Sequence, residues 1–469
     1  MKTTMLLTAA GCALASLAHS ARAQEPADTL AHLRDQLQLQ RQHLAQALNQ
    51  LEQLQQRIAL LESSRKAQPR AGPEATPATP SATGPATLAA PGTAGPTALL
   101  AGDLPRSIKL GATSVAVTGL MWSVGSVSSR SAGPGAPGDD FLILSQIPVG
   151  PGSATASHDK FKLGAKASRL GVKTLTPSRL GPVSTLLELD FLGGQGNEVA
   201  TNSYVPRLRH AWLSVGDWGA GQTWSNLLNL SAAPELLDPA PPIGWFGGGV
   251  RQAQLRWTSP LAADGSFWAV SAENPETHLG TSALQDNDRW PDLTAKTHLA
   301  LGRGQFELAG VWRRLGSANP GSASASAYGL GFGGAMPLSA STTLQFSTGA
   351  GRGLGRYWGA IVADATVSEG ASRTLQAIHQ TGGFVALRQA WTPTLRSNVV
   401  GSWLSMRPAR IHGSSAPLDR RAQTWHLNLV WTPLPGLDVG LELLRARREL
   451  VNGEQGGLTR YLLGVKYLW

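Results

Sequence analysis

Apolar and polar side chains alternate with a period of two through most of the chain after residue 106. The alternation continues to the chain end, where one face consists of Tyr461, Leu463, Val465, Tyr467 and Trp469. Neighbouring residues of a strand point to opposite faces of a sheet, so this segment predicts a strand with one apolar face. A soluble domain rarely ends in an apolar, aromatic strand, because chain ends usually fray. In a transmembrane β-barrel the last strand pairs with the first and faces lipid, so the pattern predicts such a barrel.

The same alternation separates side chains that face lipid from side chains that face the interior. In residues 421–431 the predicted lipid face consists of Trp425, Leu427, Leu429 and Trp431. The predicted inner face of that strand carries Thr424, His426 and Asn428. Polar residues also occupy the predicted inner faces of three other strands. One strand carries Gln252, Gln254 and Arg256, a second carries Glu307 and Arg313, and a third carries Asp438 and Glu442. A polar interior opposite an apolar belt indicates a channel rather than a filled core.

The fold class predicted from these segments is all-β, with 16 antiparallel strands between Ile108 and Trp469 in a barrel domain of residues 106–469. Short turns are predicted at 176–182, 216–219, 392–394 and 432–436. Long loops are predicted at 125–157, 228–249, 274–293, 353–377 and 407–420. Short periplasmic turns that alternate with long external loops are typical of outer-membrane barrels. The Pro-rich segment 234–248 is a candidate constriction loop, with an ordinary external loop as the alternative.

The first 23 residues predict a signal peptide, with the charged Lys2, an apolar stretch and an Ala21-Arg22-Ala23 cleavage site. Cys12 is the only cysteine and lies inside this segment, so a lipoprotein reading is the alternative. Without that residue the mature chain has no disulfides and no thiolate chemistry. After Gln24 no apolar run reaches 18 residues, which predicts that no helix spans the membrane.

Residues 27–66 predict an α-helical coiled coil in the periplasm, since heptad positions are filled by Leu30, Leu37, Leu44, Leu51 and Ile58. A single amphipathic helix is the alternative, although the narrow apolar seam favours self-association. Residues 67–105 are rich in Pro, Ala, Thr and Gly and predict an extended linker. The coiled coil could tether the outer membrane to a periplasmic or cell-wall partner.

The formal charge of +10 falls to +8 when Lys2 and Arg22 leave with the signal peptide. Nucleic acid is a poor partner for an exported chain, so the basic excess favours small acidic solutes or the phosphates of lipopolysaccharide. The chain is therefore predicted to lie in the bacterial outer membrane, in contact with its lipid and lipopolysaccharide.

Eight charged residues are the candidate pore-lining or substrate-binding set: Lys166, Arg169, Glu188, Asp190, Arg207, Arg209, Arg256 and Arg313. Arg169 needs a bulge or phase slip to reach the face that Lys160, Lys162 and Lys166 share. Guanidinium groups at a constriction bind carboxylates bidentately and raise the local concentration of anions. Glu188 and Asp190 are expected to face Arg207 and Arg209 across the lumen. The alternative is that these carboxylates only pair with the two arginines and brace the wall.

An enzyme is not predicted, and no cofactor or metal site is expected. His210 near Ser214, or His426 near Thr424, could be read as fragments of a nucleophile–base pair. A third orienting group and an oxyanion site cannot be identified, and histidines in a barrel wall are usually structural. The glycines of 351–355 precede no helix pattern and do not predict a phosphate loop.

Several motifs resemble the DcaP-like trimeric outer-membrane porins. They are Ser168-Arg169-Leu170-Gly171-Val172-Lys173-Thr174, Glu188-Leu189-Asp190-Phe191, Pro206-Arg207-Leu208-Arg209-His210-Ala211-Trp212 and Gly221-Gln222-Thr223-Trp224-Ser225. The order of signal peptide, heptad helix, linker and barrel is also similar to that family. The resemblance implies a homotrimeric, 16-stranded channel that prefers anions such as dicarboxylates, with its arginine-rich lumen at Arg169, Arg207 and Arg209. The long linker and the Gly- and Ala-rich loops depart from the family pattern. These departures affect the prediction of the solute more than the prediction of the fold.

Overall fold

The computed structural model describes residues 107–131, 137–151, 159–194, 196, 198, 201–279, 286–318, 323–367, 374–408 and 418–469. The predicted signal peptide, coiled coil and linker lie outside these residues. In the described part of the chain, no helix has the length and apolar character needed to cross a membrane.

Sixteen strands form the wall of the molecule. β1 is Thr113–Ser128, and β2 consists of two collinear segments, Lys160–Gly164 and Arg169–Thr176. The next seven are β3 Val183–Asp190, β4 Arg207–Val215, β5 Trp218–Trp224, β6 Arg251–Thr258, β7 Phe267–Glu273, β8 Asp292–Leu301 and β9 Gly304–Ser317. The last seven are β10 Ala323–Pro337, β11 Thr342–Arg352, β12 His379–Ala390, β13 Leu395–Arg407, β14 Asp419–Leu434, β15 Leu437–Leu450 and β16 Gln455–Leu468.

The sheet closes on itself, because β1 pairs with both β2 and β16 while every other strand pairs antiparallel with its neighbours in sequence. The closing ladder runs from Leu120 opposite Leu468 to Ser128 opposite Arg460. The backbone N–H of Trp469 then donates to Gly119 O at 3.1 Å. The predicted 16-stranded antiparallel barrel is therefore confirmed, and the last residue takes part in its closure.

The barrel begins five residues later than the predicted start at Ile108. Ile108–Leu110 forms a short strand that pairs with the beginning of β1. Gly111 adopts a φ of +62°, a left-handed conformation that glycine reaches without steric cost, and the chain reverses there into β1. The short strand therefore precedes the barrel wall as one arm of a hairpin.

Exposure alternates along the strands as the sequence predicts. On β14, Trp425 is 59% exposed and Leu427 is 52% exposed, whereas Thr424 and His426 are buried. The exposed face forms the apolar outer surface that contacts lipid, and the buried face points into the barrel.

The predicted phase slip before Arg169 is present as a break in β2 between Gly164 and Arg169. Phe161 and Leu163 are exposed outward before the break, and Leu170 is exposed outward after it. The outward phase therefore changes from odd to even residue numbers. This change turns Arg169 to the inner face.

Aromatic and aliphatic side chains from two loops also occupy the barrel interior. Leu227, Ile243 and Phe246 from residues 225–250 share a buried cluster with Tyr357 and Trp358 from residues 353–378. The cluster includes inner-face residues of the strands, among them Leu404 and Leu444. The apolar core therefore lies inside the barrel, where the two loops pack against its wall and narrow it.

Candidate functional site

The loop between β5 and β6, residues 225–250, folds into the barrel interior and reaches the opposite wall. Its contacts include residues of β11, β13, β14, β15 and β16. Arg396 donates two hydrogen bonds to Glu235, at 2.7 and 2.5 Å. The backbone N–H of Leu237 donates to Glu442 at 2.7 Å, and Lys466 Nζ donates to Leu236 O at 2.7 Å. The candidate constriction segment 234–248 is thus an inward loop.

Glycine permits the closest contact between this loop and the wall. The backbone N–H of Gly244 donates to Ser402 Oγ of β13 at 2.9 Å. A Cβ atom at Gly244 would overlap the backbone oxygens of Trp403 and Gly383. The two backbones can approach this closely because residue 244 has no side chain.

A second inward segment between β11 and β12, described over residues 353–367 and 374–378, packs against the first. Trp358 and Phe246 make an edge-to-face contact with ring centroids 5.6 Å apart. The backbone N–H of Gly247 donates to Tyr357 O at 2.7 Å. Sequence reasoning predicted only a long loop here and missed its inward position. The adjacent aromatic residues Tyr357 and Trp358 in a Gly-rich segment were the available signal.

Arg207 and Arg209 lie on the inner wall beside two carboxylates on the neighbouring strand. Arg207 donates to both oxygens of Asp190, at 2.8 and 2.7 Å. Arg209 donates to Glu188 and, at 2.9 Å, to Asp190. The expectation that the carboxylates face the arginines across the lumen is wrong. The antiparallel register of β3 and β4 places Asp190 opposite Arg207. The register shift beside Glu188 leaves Arg209 as an extra residue of β4, so that Arg209 and the following His210 are both buried.

Two further arginines beside this cluster make no hydrogen bond or ion pair with any other residue that the structure describes. Arg169 lies 5.8 Å from the ring centroid of Trp122, and its Nε is buried without a partner. Arg251 lies 4.2 Å from the ring of Trp224, which Arg209 also approaches at 5.6 Å. Arg251 interacts electrostatically with Arg209, Arg207 and Arg169, and with the carboxylate of Asp190. Four arginines therefore share one region with two carboxylates.

Arg251 also lines an open cavity of about 430 Å³ together with Glu276, His278 and Arg356. Sequence reasoning missed Arg251, because alternation along β6 puts it in phase with the exposed Leu255 and not with the buried Gln252 and Gln254. Its available signal was a cation two residues after the glycines of 247–249.

The other predicted site residues hold the structure together. Arg256 donates to Gln254 Oε1 at 2.9 Å and to Trp224 O at 2.6 Å. Arg313 is 0% exposed and binds Asp292 at 2.9 Å and Asp364 at 2.7 Å. It also donates to Gly353 O at 2.7 Å, at the start of the second inward segment. Arg313 thus anchors that segment to β9.

Lys166 lies outside the strands in a neutral cluster of two lysines and two carboxylates. Its Nζ donates to Asp140 at 2.5 Å and to Glu198 at 3.0 Å, and Lys162 binds the same two carboxylates. Burial alone lowers the pKa of Lys166, but hydrogen bonds to Asp140 and Glu198 raise it above its ordinary value of 10.5. Hydrogen bonds from Lys162 and Lys166 lower the pKa of Glu198 to about 2. Two lysines thus pair with two carboxylates, so the cluster attracts neither sign of solute strongly.

The histidines considered for catalysis have structural partners. His210 Nδ1 lies 2.9 Å from Thr223 Oγ1, while Ser214 pairs with Ser184 at 2.6 Å. His426 Nδ1 lies 2.9 Å from Glu442. Within the described residues, no group of three His, Cys, Asp or Glu side chains could hold a metal ion. The geometry is that of a polar channel wall.

Comparison with known proteins agrees with this geometry. A model of the family described as DcaP outer membrane protein matches residues 144–469. The crystal structure of the outer membrane channel DcaP of Acinetobacter baumannii is 24% identical, with a TM-score of 0.66 over 76% of this chain and 97% of that chain. An anion-selective porin from Comamonas acidovorans is 12% identical, with a TM-score of 0.51 over 76% of this chain and all of that one. No curated protein matches the sequence.

Proposed function

The chain belongs to the DcaP outer membrane protein family, and we propose that this outer-membrane porin lets small dicarboxylate-like anions diffuse passively through its barrel. The observation that carries the proposal is the pair Arg169 and Arg251. Arg169 lies beside Trp122, and Arg251 lies beside Trp224 and lines the open cavity. Neither guanidinium group has a hydrogen-bond or ion-pair partner among the described residues.

The neighbouring ion pairs explain why these two arginines remain available. Glu188 and Asp190 already accept hydrogen bonds from Arg207 and Arg209. Arg169 and Arg251 interact with these carboxylates only at longer range, so their guanidinium donors are not occupied by a carboxylate of the described residues. A guanidinium group binds a carboxylate through two parallel N–H donors, which favours planar carboxylate solutes over chloride.

Transport in this account requires no turnover and no cofactor. The solute flux follows the concentration gradient, and selectivity comes from the width of the lumen and its electrostatic field. The negative charges of Glu188 and Asp190 reduce the positive electrostatic potential around the arginines. A bound anion can therefore dissociate and leave the channel.

Uptake into proteoliposomes tests the proposal. Purified full-length protein would be reconstituted, and initial uptake of succinate, acetate and putrescine would be compared at equal concentration. Succinate and putrescine have four-carbon chains but opposite charge. We expect succinate to enter several-fold faster than putrescine, because a cationic lumen concentrates anions. Equal rates, or faster entry of putrescine, would contradict the proposal.

We also propose that the barrel forms a homotrimer through the outer faces of β1 to β4. The outward positions described on these strands carry no charged side chain, and they include the exposed Met121, Phe161, Leu187 and Leu213. Light scattering of the detergent-solubilised protein, corrected for bound detergent, would give three times the chain mass. A monomeric mass would contradict this assignment.

A further inference from the structure

The outer surface of β9 to β15 carries a row of arginines near the end of the barrel that bears the long loops. These residues, which we call the arginine belt, are Arg314, Arg352, Arg407, Arg421, Arg445 and Arg447. Their outward direction follows from the register. Arg352 is opposite His379, which is opposite Arg407, and Arg447 is opposite Gln423. The belt is therefore continuous across neighbouring strands on the face that the exposed tryptophans occupy.

The belt lies immediately on the loop side of a row of exposed aromatic residues. Trp312 precedes Arg314 by two residues on the same face of β9 and is 42% exposed. On β13, the exposed Trp403 lies four residues before Arg407 on the same face. On β14, the exposed Trp425 lies four residues after Arg421 on the same face. Aromatic residues of outer-membrane barrels mark the boundary between the hydrocarbon and the polar headgroups. The arginines are thus at headgroup height, where an outward charge costs little.

Little in the protein compensates the charge of the belt. Arg407, Arg421 and Arg445 make no hydrogen bond or ion pair with other described residues. Arg314 donates only to hydroxyl groups, those of Ser326 at 3.1 Å and Ser324 at 2.6 Å. At the outward positions described on β9 to β15, the carboxylate is Glu449. It lies opposite Arg421 in the ladder but forms its ion pair with Arg420, at 3.1 Å.

We propose that the arginine belt binds the phosphate groups of lipopolysaccharide in the outer leaflet. Long loops identify this end of the barrel as the external one, where that glycolipid forms the membrane surface. Guanidinium groups bind phosphate oxygens bidentately, and several in a row can bridge adjacent headgroups. The inference is independent of the proposed solute pathway, because the belt is on the opposite face of the wall from the lumen.

Native mass spectrometry of the full-length protein with defined lipids tests this inference. The probes are bisphosphorylated lipid A and the same lipid A without phosphates. The test variant is Arg407→Gln/Arg421→Gln. The control is Arg179→Gln/Arg303→Gln, which removes the same charge from exposed residues in turns at the other end of the barrel. We expect the test variant to bind the phosphorylated lipid at least about tenfold more weakly, and the control to bind it like the wild type.

Neither the two substituted arginines of the test variant nor those of the control lie in the lumen. A folded variant should therefore conduct like the wild type, and channel conductance serves as the check on folding. With conductance unchanged, three results would overturn the inference. The first is that the test variant binds phosphorylated lipid A as tightly as the wild type does. The second is that the test and control variants lose the same amount of lipid A affinity. The third is that the wild type binds lipid A equally tightly with and without phosphate. If the test variant instead dissociates into monomers, the belt is a contact between copies of this chain and the inference is also overturned.

Discussion

Asp190 accepts hydrogen bonds from two arginines that differ in burial. The Arg207 side chain is 34% exposed, whereas that of Arg209 is 5% exposed and also contacts Glu188. Removing one partner of a buried ion pair leaves the other charge unpaired, which is more costly than removing an exposed partner. The two arginines therefore differ in their expected contribution to stability, although both were predicted as pore residues.

Replacing Arg209 with methionine should lower the free energy of unfolding by about 3 kcal/mol or more. The matched substitution Arg207→Met should lower it by less than about 1 kcal/mol, because water screens the exposed guanidinium group. Denaturant unfolding in lipid vesicles, followed by tryptophan fluorescence, measures both values. Equal losses would show that burial does not distinguish the two pairs.

The inner position of Arg207 and Arg209 could be predicted from the sequence, but their partners could not. Alternation is local, so it indicates a face for each side chain. Pairing with Asp190 and Glu188 depends on the register between β3 and β4, which includes a shift beside Glu188. Arg251 was missed for another reason. Alternation puts it in phase with the exposed Leu255, and only the three-dimensional structure brings it beside Trp224 and the open cavity.

Among the larger elements, the inward loop 225–250 depends on a few contacts that are distant in sequence. Gly244 and Ser402 are 158 residues apart, and Glu235 and Arg396 are 161 residues apart. The Pro-rich segment 234–248 could be identified from composition as a candidate constriction. The inward position of residues 353–367 could not be predicted, because a Gly-rich loop with two aromatic residues has no local feature that distinguishes inside from outside.

Gly244→Ala should displace the inward loop, because its Cβ would overlap backbone oxygens of β12 and β13. We expect a larger and noisier single-channel conductance in planar bilayers. Gly457→Ala is the control, since the nearest atom to its Cβ is the Ala446 oxygen at an ordinary distance of 3.4 Å. Wild-type conductance in Gly244→Ala would mean that this contact does not hold the constriction.

The contact between Glu235 and Arg396 predicts a pH dependence of the constriction. Burial raises the pKa of Glu235, but hydrogen bonds from Arg396 hold it below its ordinary value of 4.5. A carboxyl group with a lowered pKa stabilises the docked loop fully above 4.5, and that contribution is lost as the pH falls through the lowered value. Conductance should therefore be constant from pH 7 to 5 and become unstable in more acidic solution.

Glu235→Gln should show the unstable conductance already at pH 7 and little further change on acidification. Asp264→Asn, in an exposed turn, should behave like the wild type. A pH response that is the same in the wild type and Glu235→Gln would assign the response to another group.

The whole barrel closes within residues 113–469, since β1 pairs with β16 and Trp469 bonds to Gly119. Deleting residues 27–100 should therefore leave single-channel conductance unchanged. If envelope integrity falls in cells that carry this deletion while conductance persists, the N-terminal segment tethers the membrane. Loss of conductance in the correctly inserted deletion variant would contradict the independence of the barrel.

Anion selection by Arg169 and Arg251 is the central claim of this account, and reversal potential tests it most directly. Purified protein in a planar bilayer under a tenfold salt gradient would be compared with Arg169→Gln/Arg251→Gln and with the control Arg179→Gln/Arg303→Gln. We predict an anion-selective potential for the wild type and the control, and a shift of at least about half that potential toward zero in the test variant. Cation selectivity of the wild type, or an unchanged potential in the test variant, would contradict the account.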